Sequence, residues 1–140
     1  MGNSLWEPAG LAMHSSDRIF VAGHRGMVGS AIARRLLGAG FTDVVTAGRN
    51  EVDLTNRVAV DRYMHDVRPK VVVLAAAKVG GILANNSYPA DFIRDNLQIQ
   101  TNVIDSAWHH DAAKLLFLGS SCIYPREAPQ PISEESLLTG

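Results

Sequence analysis

Arg18-Ile19-Phe20-Val21-Ala22-Gly23-His24-Arg25-Gly26-Met27-Val28-Gly29 is the stretch whose reading decides the fold. Ile19 to Ala22 is a short apolar run between a charge and a glycine, the pattern of a strand buried on both faces of a sheet. From Met27 to about Ala39, Val28, Ile32, Leu36 and Leu37 recur at helical spacing, and Gly38 and Gly40 follow as stop signals. Three glycines join the two elements, and each has a physical use. Gly23 permits the tight turn out of the strand, Gly26 leaves the backbone open to a pyrophosphate, and Gly29 lets the helix pack close to the sheet. The first turn of the helix adds free N–H groups and the positive end of its dipole. A glycine triplet alone also fits an ordinary turn, but its place at a strand-to-helix junction favours a dinucleotide held by Gly23, His24, Arg25, Gly26, Met27, Val28 and Gly29.

Outward from this loop the same alternation repeats. Val44 to Ala47 reads as a second strand. Thr55 is placed to cap a helix running to about Val67, with Val58, Tyr63 and Met64 facing inward and Pro69 ending it. Val71 to Ala77 is the next buried strand. Pro89 suits the first turn of a long helix that reaches about His110, and Lys114 to Leu118 is one more strand. Strands that are apolar on both faces, alternating with helices, specify an α/β fold: a doubly wound parallel sheet of the Rossmann type. The expected domain covers residues 18–140, with the segment from Gln130 onward as loop. Met1 to Asp17 shows no period and is expected to be a mobile extension.

Composition excludes several classes of function. At 46% hydrophobic and 19% charged the chain is globular rather than disordered. A net charge of −1 gives no electrostatic case for nucleic acid or an anionic membrane as main partner. The longest apolar run, Val71 to Ala77, is far short of the ~20 residues a spanning helix needs. No signal peptide is expected, and Trp6 stands where a myristoylation signal wants Ser or Thr. Cys122 is the single cysteine, so no intrachain disulfide is possible, and a reducing, cytoplasmic home is the simplest expectation. The five histidines show no metal-ligand spacing, and no metal is expected.

The residues after the second strand bear on which dinucleotide. An NAD site usually places an acid at that strand's end to hold the ribose 2′-hydroxyl. Here the strand ends in Ala47-Gly48-Arg49, and Glu51 and Asp53 come later. Arg25 and Arg49 could pair a 2′-phosphate, because guanidinium matches phosphate geometry. NADP(H) is therefore the expected cofactor, with two solvated surface arginines as the plain alternative.

Three further stretches carry a resemblance: Leu74-Ala75-Ala76-Ala77-Lys78-Val79-Gly80-Gly81-Ile82, Ala84-Asn85-Asn86-Ser87-Tyr88-Pro89-Ala90-Asp91-Phe92-Ile93, and Leu115-Leu116-Phe117-Leu118-Gly119-Ser120-Ser121-Cys122-Ile123-Tyr124-Pro125. With the glycine loop they closely resemble the GDP-L-fucose synthases, extended short-chain dehydrogenases/reductases, over about Arg18 to Gly140. The resemblance implies NADPH-dependent epimerisation at carbons 3 and 5 of GDP-4-keto-6-deoxy-D-mannose, then reduction of its 4-keto group. It implies catalytic roles for Ser120 and, in epimerisation, Cys122. It implies cofactor contacts at Arg25, Arg49, Asp53, Leu54, Ala75, Ala76, Ala77, Leu118 and Gly119, and it likens Asn96 to the superfamily's helix asparagine. The pattern departs in that the family's Tyr-x-x-x-Lys pair is not among these residues, since Tyr124 has no lysine four positions on, nor are the family's later histidine and sugar-nucleotide domain. The chain is therefore expected to be the truncated N-terminal part of such an enzyme, without turnover of its own. An inactive NADP-binding partner of a full-length enzyme, or another sugar-nucleotide epimerase or dehydratase, are the alternatives.

Position alone supports some of these roles. Ser120 lies just past an apolar strand, where ligands bind in such folds, and a serine there can stabilise an oxyanion. Cys122, two residues on, should point the same way if the backbone stays extended, and a thiol can remove and return a proton. A turn serine and a small buried hydrophobe are the bland alternatives. Lys78 follows a strand too, bordering the cofactor or simply solvated. The long helix carries two apolar stripes: Ile93, Leu97, Ile104 and Trp108, and about 100° away Phe92, Ile99 and Val103. One packs on the sheet. The other, taken to include Ile99 and Val103, needs a different partner: a neighbouring helix, further chain that buries it, or a second subunit, and the resemblance implies the last, a homodimer through this helix.

Overall fold

The computed structural model describes residues 13–139. The elements are β1 (Ile19–Ala22), α1 (Met27–Gly38), β2 (Val44–Ala47), α2 (Arg57–Val67), β3 (Val71–Leu74), α3 (Ile82–Ser87), α4 (Pro89–His109) and β4 (Lys114–Phe117), followed by 3-10 turns at Ser121–Ile123 and Glu134–Ser136. All strand pairs are parallel, in the order β2-β1-β3-β4. Phe20 stands beside Val45 on one side and Val72 on the other, and Val72 beside Leu115. The two inner strands are buried at every position, as their unbroken apolar runs require.

Strand alternation divides each apolar run between two layers. Phe20, Ala22, Val72 and Leu74 face Val60 and Met64 of α2 and Val103 and Ala107 of α4. Ile19, Val21, Val71 and Val73 face the other way, covered by Ile32 and Leu36 of α1 and by Phe41. The sheet is thus doubly wound, with helices on both faces. Polar clips hold α4 to α2 and to the turn before it: Asn102 Nδ2 donates to the Leu54 carbonyl at 3.0 Å, and Arg57 meets Asp105 at 3.1 Å.

Several local expectations change. Thr55 is not the cap of α2; Asn56 is, with its Oδ1 accepting from the Ala59 N–H at 3.1 Å. The Thr55 hydroxyl is already committed to Asp53 Oδ1 at 2.8 Å. Val60 and Met64 point into the core, with Tyr63 packed against it as expected, while Val58 is 77% exposed. The helix ends at Arg68 in the left-handed conformation (φ 47°), ahead of Pro69, which cannot continue it. β3 ends at Leu74 rather than Ala77, because the chain then turns towards α4. The short helix α3 was not expected; Asn85 holds its start by donating to the Gly80 and Gly81 carbonyls.

The two stripes of α4 are also assigned the other way round. Val103 is fully buried and Ile99 packs against the same layer, so this stripe faces the chain's own sheet. Ile93, Leu97, Ile104 and Trp108 are the exposed side, Trp108 at 74%. Residues ahead of Arg18 also contact the domain. Met13 packs on the Ile19 layer, the Thr42 N–H donates to the Ser15 carbonyl at 2.8 Å, and Lys70 Nζ meets Asp17 at 2.9 Å. Hydrogen bonds from Lys70 and then from the His14 N–H hold the Asp17 carboxyl below the usual aspartate range. The rest of the expected extension lies outside the described residues.

Burial on α2 gives a direct contrast. Met64→Ala should cost about 2–5 kcal/mol of stability through its cavity, whereas Val58→Ala should stay within about 0.5 kcal/mol. Urea unfolding of the two variants measures both, and equal losses would contradict this helix phase.

Candidate functional site

A cleft of about 420 Å³ opens outside the carboxyl ends of β1 and β3. This is the switch point of the sheet, where the chain passes from β1 to β2 on one side and β3 lies on the other. Loops diverge there, which is why open α/β sheets bind ligands at that place.

The glycine loop forms one wall. Gly23 has φ +89°, and a Cβ on it would stand 2.6 Å from the Ala76 nitrogen and 2.7 Å from the Ala75 carbonyl. A Cβ on Gly29 would fall on the Gly23 carbonyl. Both glycines are thus required by the protein's own packing. Gly26 differs: its φ is an ordinary −75°, and a Cβ there would meet only the Gly23 oxygen, at 3.3 Å. The fold demands little of this position, so its bareness serves the open side. No side chain caps α1, whose first turn therefore offers its N–H groups to a ligand. His24 Nδ1 is buried without a hydrogen-bond partner among the described residues. A cradle of bare backbone, an uncapped helix start and two guanidinium groups together fit a phosphorylated dinucleotide.

The second wall follows β2. The Arg25 guanidinium lies over buried Gly48, where a Cβ would be 3.1 Å from its Nη2. Arg25 and Arg49 edge the same cleft. Gly48 donates its N–H to Glu51 Oε2 at 2.6 Å. Asp53 accepts from the Thr55 hydroxyl at 2.8 Å and the Thr55 N–H at 3.0 Å, and these bonds, the hydroxyl first, hold its carboxyl below the usual range. Val52, Leu54, Phe20 and Ile99 give the cleft an apolar lining.

The third wall is the loop after β3, clasped by α4. Asn96 makes two bonds to Lys78: its Oδ1 accepts the Lys78 N–H at 2.7 Å, and its Nδ2 donates to the Lys78 carbonyl at 3.0 Å. Lys78 Nζ meets Asp95 Oδ2 at 2.7 Å and stands 5.3 Å from the Phe92 ring centre. Hydrogen bonds from Lys78 and then Arg94 keep the Asp95 carboxyl below its usual range.

Of the residues singled out in the sequence, the cleft gathers Gly23, His24, Arg25, Arg49, Asp53, Leu54, Ala76, Ala77 and Lys78. Gly26, Met27, Val28 and Gly29 border it only through the loop and helix start, and Ala75 supports Gly23 from behind. Leu118, Gly119, Ser120 and Cys122 do not line it. The backbone past β4 is not extended: it turns at Ser121–Ile123, where Ser120 Oγ accepts the Cys122 N–H at 3.2 Å. The expected shared direction of Ser120 and Cys122 therefore loses its premise. Cys122 is exposed, which removes the reading as a buried hydrophobe. Phe20, Val52, Thr55, Asp95 and Ile99 were not foreseen as cleft residues; Asp53-x-Thr55 carried the one local signal, an Asx turn. Among the described residues no group of three His, Cys, Asp or Glu side chains could hold a metal ion, and no helix is long and apolar enough to cross a membrane.

Comparison with known proteins gives consistent matches. Residues 19–140 match the model of the NAD dependent epimerase/dehydratase family. GDP-L-fucose synthase 1 of Arabidopsis thaliana is 63% identical over 124 residues, covering 89% of this chain and 38% of the relative. GDP-L-fucose synthase of Escherichia coli strain K12 is 54% identical over 126 residues, covering 90% and 39%. A GDP-mannoheptose C4 reductase from Campylobacter jejuni, solved with NADP bound, superposes with a TM-score of 0.85 at 39% identity, covering 92% of this chain and 41% of that one. The chain thus spans about two-fifths of the length of these relatives.

Proposed function

The chain belongs to the NAD dependent epimerase/dehydratase family, and we propose that it is the NADP(H)-binding part of a cytoplasmic GDP-L-fucose synthase. The observation that carries this reading is the convergence of the Gly23–Gly29 loop, Arg25 and Arg49 on one cleft at the sheet's switch point. The 63% identity to the Arabidopsis synthase and the likeness to an NADP-bound reductase support it. In this reading the loop and the start of α1 hold the pyrophosphate, Arg25 and Arg49 hold the 2′-phosphate, and Asp53 and Leu54 lie along the adenine. Ala75, Ala76, Ala77, Leu118 and Gly119 follow the cofactor across the tops of β3 and β4. The bound cofactor would supply a hydride to the 4-keto carbon of GDP-4-keto-6-deoxy-D-mannose or of the sugar epimerised from it. Ser120 hydrogen-bonds the keto oxygen as charge develops on it. Cys122 exchanges the protons next to the ketone during epimerisation at carbons 3 and 5. The domain boundary in this reading lies nearer Met13 than Arg18.

Cofactor titration is the first test. The chain should bind NADPH more tightly than NADH, and Arg49→Ala should weaken NADPH by roughly tenfold to a hundredfold with little effect on NADH, since a charge-assisted phosphate bond is worth about 1.5–3 kcal/mol. Equal losses for the two nucleotides would remove Arg49 from the 2′-phosphate.

The catalytic roles require the Tyr-x-x-x-Lys pair, so they are tested in a chimera joining this chain to the remaining C-terminal part of the Escherichia coli relative. Ser120→Ala should lower kcat of keto-sugar reduction by about 10²-fold. Cys122→Ser should abolish solvent deuterium exchange at carbons 3 and 5 while sparing NADPH binding. Unimpaired exchange in the serine variant would dismiss the cysteine.

The exposed stripe of α4 is the third element. A homodimer formed through the Pro89–His109 helix would cover Ile93, Leu97, Ile104 and Trp108, a face that is costly to leave in water. Leu97→Glu combined with Ile104→Glu should convert dimer to monomer by light scattering with unchanged circular dichroism. A monomeric wild type, or a variant that stays dimeric, would overturn this assignment.

A further inference from the structure

The acid expected at the end of β2 in an NAD site is not missing from this region; it is diverted. Three hydrogen bonds close the turn after β2. The Glu51 N–H donates to the Gly48 carbonyl at 2.9 Å, the Val52 N–H donates to the same carbonyl at 3.0 Å, and the Gly48 N–H donates to Glu51 Oε2 at 2.6 Å. The carboxylate therefore faces back into its own turn. A Cβ on Gly48 would stand 3.1 Å from Arg25 Nη2 and 3.3 Å from Glu51 Oε2, so Arg25 and Glu51 flank one bare residue. No ion pair joins them among the described residues, and the guanidinium keeps its donors for something else. Arg49 sits inside the closed turn, between Gly48 and Glu51, and lines the cleft.

We propose that Glu51 is a specificity-determining positioning residue. By fixing its carboxylate on the Gly48 amide it holds the turn that presents Arg25 and Arg49 to a phosphorylated ribose, and it withholds from an unphosphorylated ribose the acceptor that would bind the 2′-hydroxyl. This rests on the reading of the cleft as an NADP(H) site and adds a residue that the glycine loop and the arginines do not supply. The physical content is that one side chain does two opposite things to the two cofactors. A closed turn favours the 2′-phosphate by placing two cations, and a sequestered acid denies the 2′-hydroxyl a strong partner.

The test compares wild type, Glu51→Ala and Glu51→Gln in the full 140-residue chain, with NADPH, NADH and 2′-phosphoadenosine 5′-diphosphoribose as probes in calorimetric titrations. Glutamine keeps an acceptor oxygen for the Gly48 N–H and serves as the conservative rescue. Glu51→Ala should lose roughly tenfold in affinity for NADPH and for the phosphorylated fragment, as expected for two cations released from position, while NADH changes less than about twofold. Glu51→Gln should restore NADPH binding to within about threefold of wild type. Thermal unfolding checks that each variant is folded; if alanine unfolds the chain, the NADPH-to-NADH ratio of the glutamine variant decides, and a ratio falling tenfold or more overturns the proposal. Equal losses for NADPH and NADH in folded Glu51→Ala, or no loss at all, overturn it too. A wild type with no preference for NADPH would instead sink the underlying NADP(H) reading, so the two failures are distinguishable.

Discussion

Three backbone segments meet without a side chain between them at Gly23. The turn out of β1 presses against the Ala75–Ala76 peptide, and the first turn of α1 presses against the Gly23 carbonyl. No interior of the usual kind, made of interlocking side chains, exists at this point. Close approach of bare backbone lets β1, β3 and the start of α1 share one corner, and the cleft is the space left beside it. Any Cβ at Gly23 or Gly29 must push one of these segments away, so the corner cannot be relaxed locally by repacking. The sheet order, the direction of α1 and the floor of the cleft all depend on it.

How much of this the sequence carried varied with the kind of signal. β1 and β3 are apolar at every position, and such runs read as buried strands without help from context. The glycine spacing fixed the loop and the uncapped helix start. The phase of α2 was harder. Val58, Val60, Tyr63 and Met64 are all apolar enough to face a core, and periodicity alone did not decide that Val60 rather than Val58 joins Met64 there. On α4 both stripes are apolar, so periodicity could count them but could not say which one the chain's own sheet would take.

The candidate site shows the same division. Residues set by local geometry, such as Gly23, Arg25 and Arg49, were legible because they lie next to strand ends, whereas Asp53 was named only through the resemblance. Asp95 and Ile99 come from the middle of a long helix, and only the path of the loop after β3 brings them to the cleft, while Asn96, which the resemblance had singled out, holds that loop through Lys78. The row Phe92, Asp95, Asn96 and Ile99 follows the i, i+3, i+4, i+7 spacing of one helix face. That face does two jobs: Ile99 joins the core, while the other three clasp Lys78 and Gly80. Ser120 and Cys122 came from the resemblance, and only their shared direction was read from an extended strand end; Ser120 is extended, but the 3-10 turn at Ser121–Ile123 removes that premise for Cys122.

The attachment of Met13–Asp17 has a practical side. Ser15 and Asp17 are bound to Thr42 and Lys70, which precede β2 and β3, so the described chain enters the domain at the amino ends of the strands. The cleft lies at the carboxyl ends, the full length of the strands away. A surface anchor or fluorescent reporter joined ahead of this segment would therefore hang from the underside of the domain. The molecule could be tethered there by its entry point, with the mouth of the cleft turned to the solution.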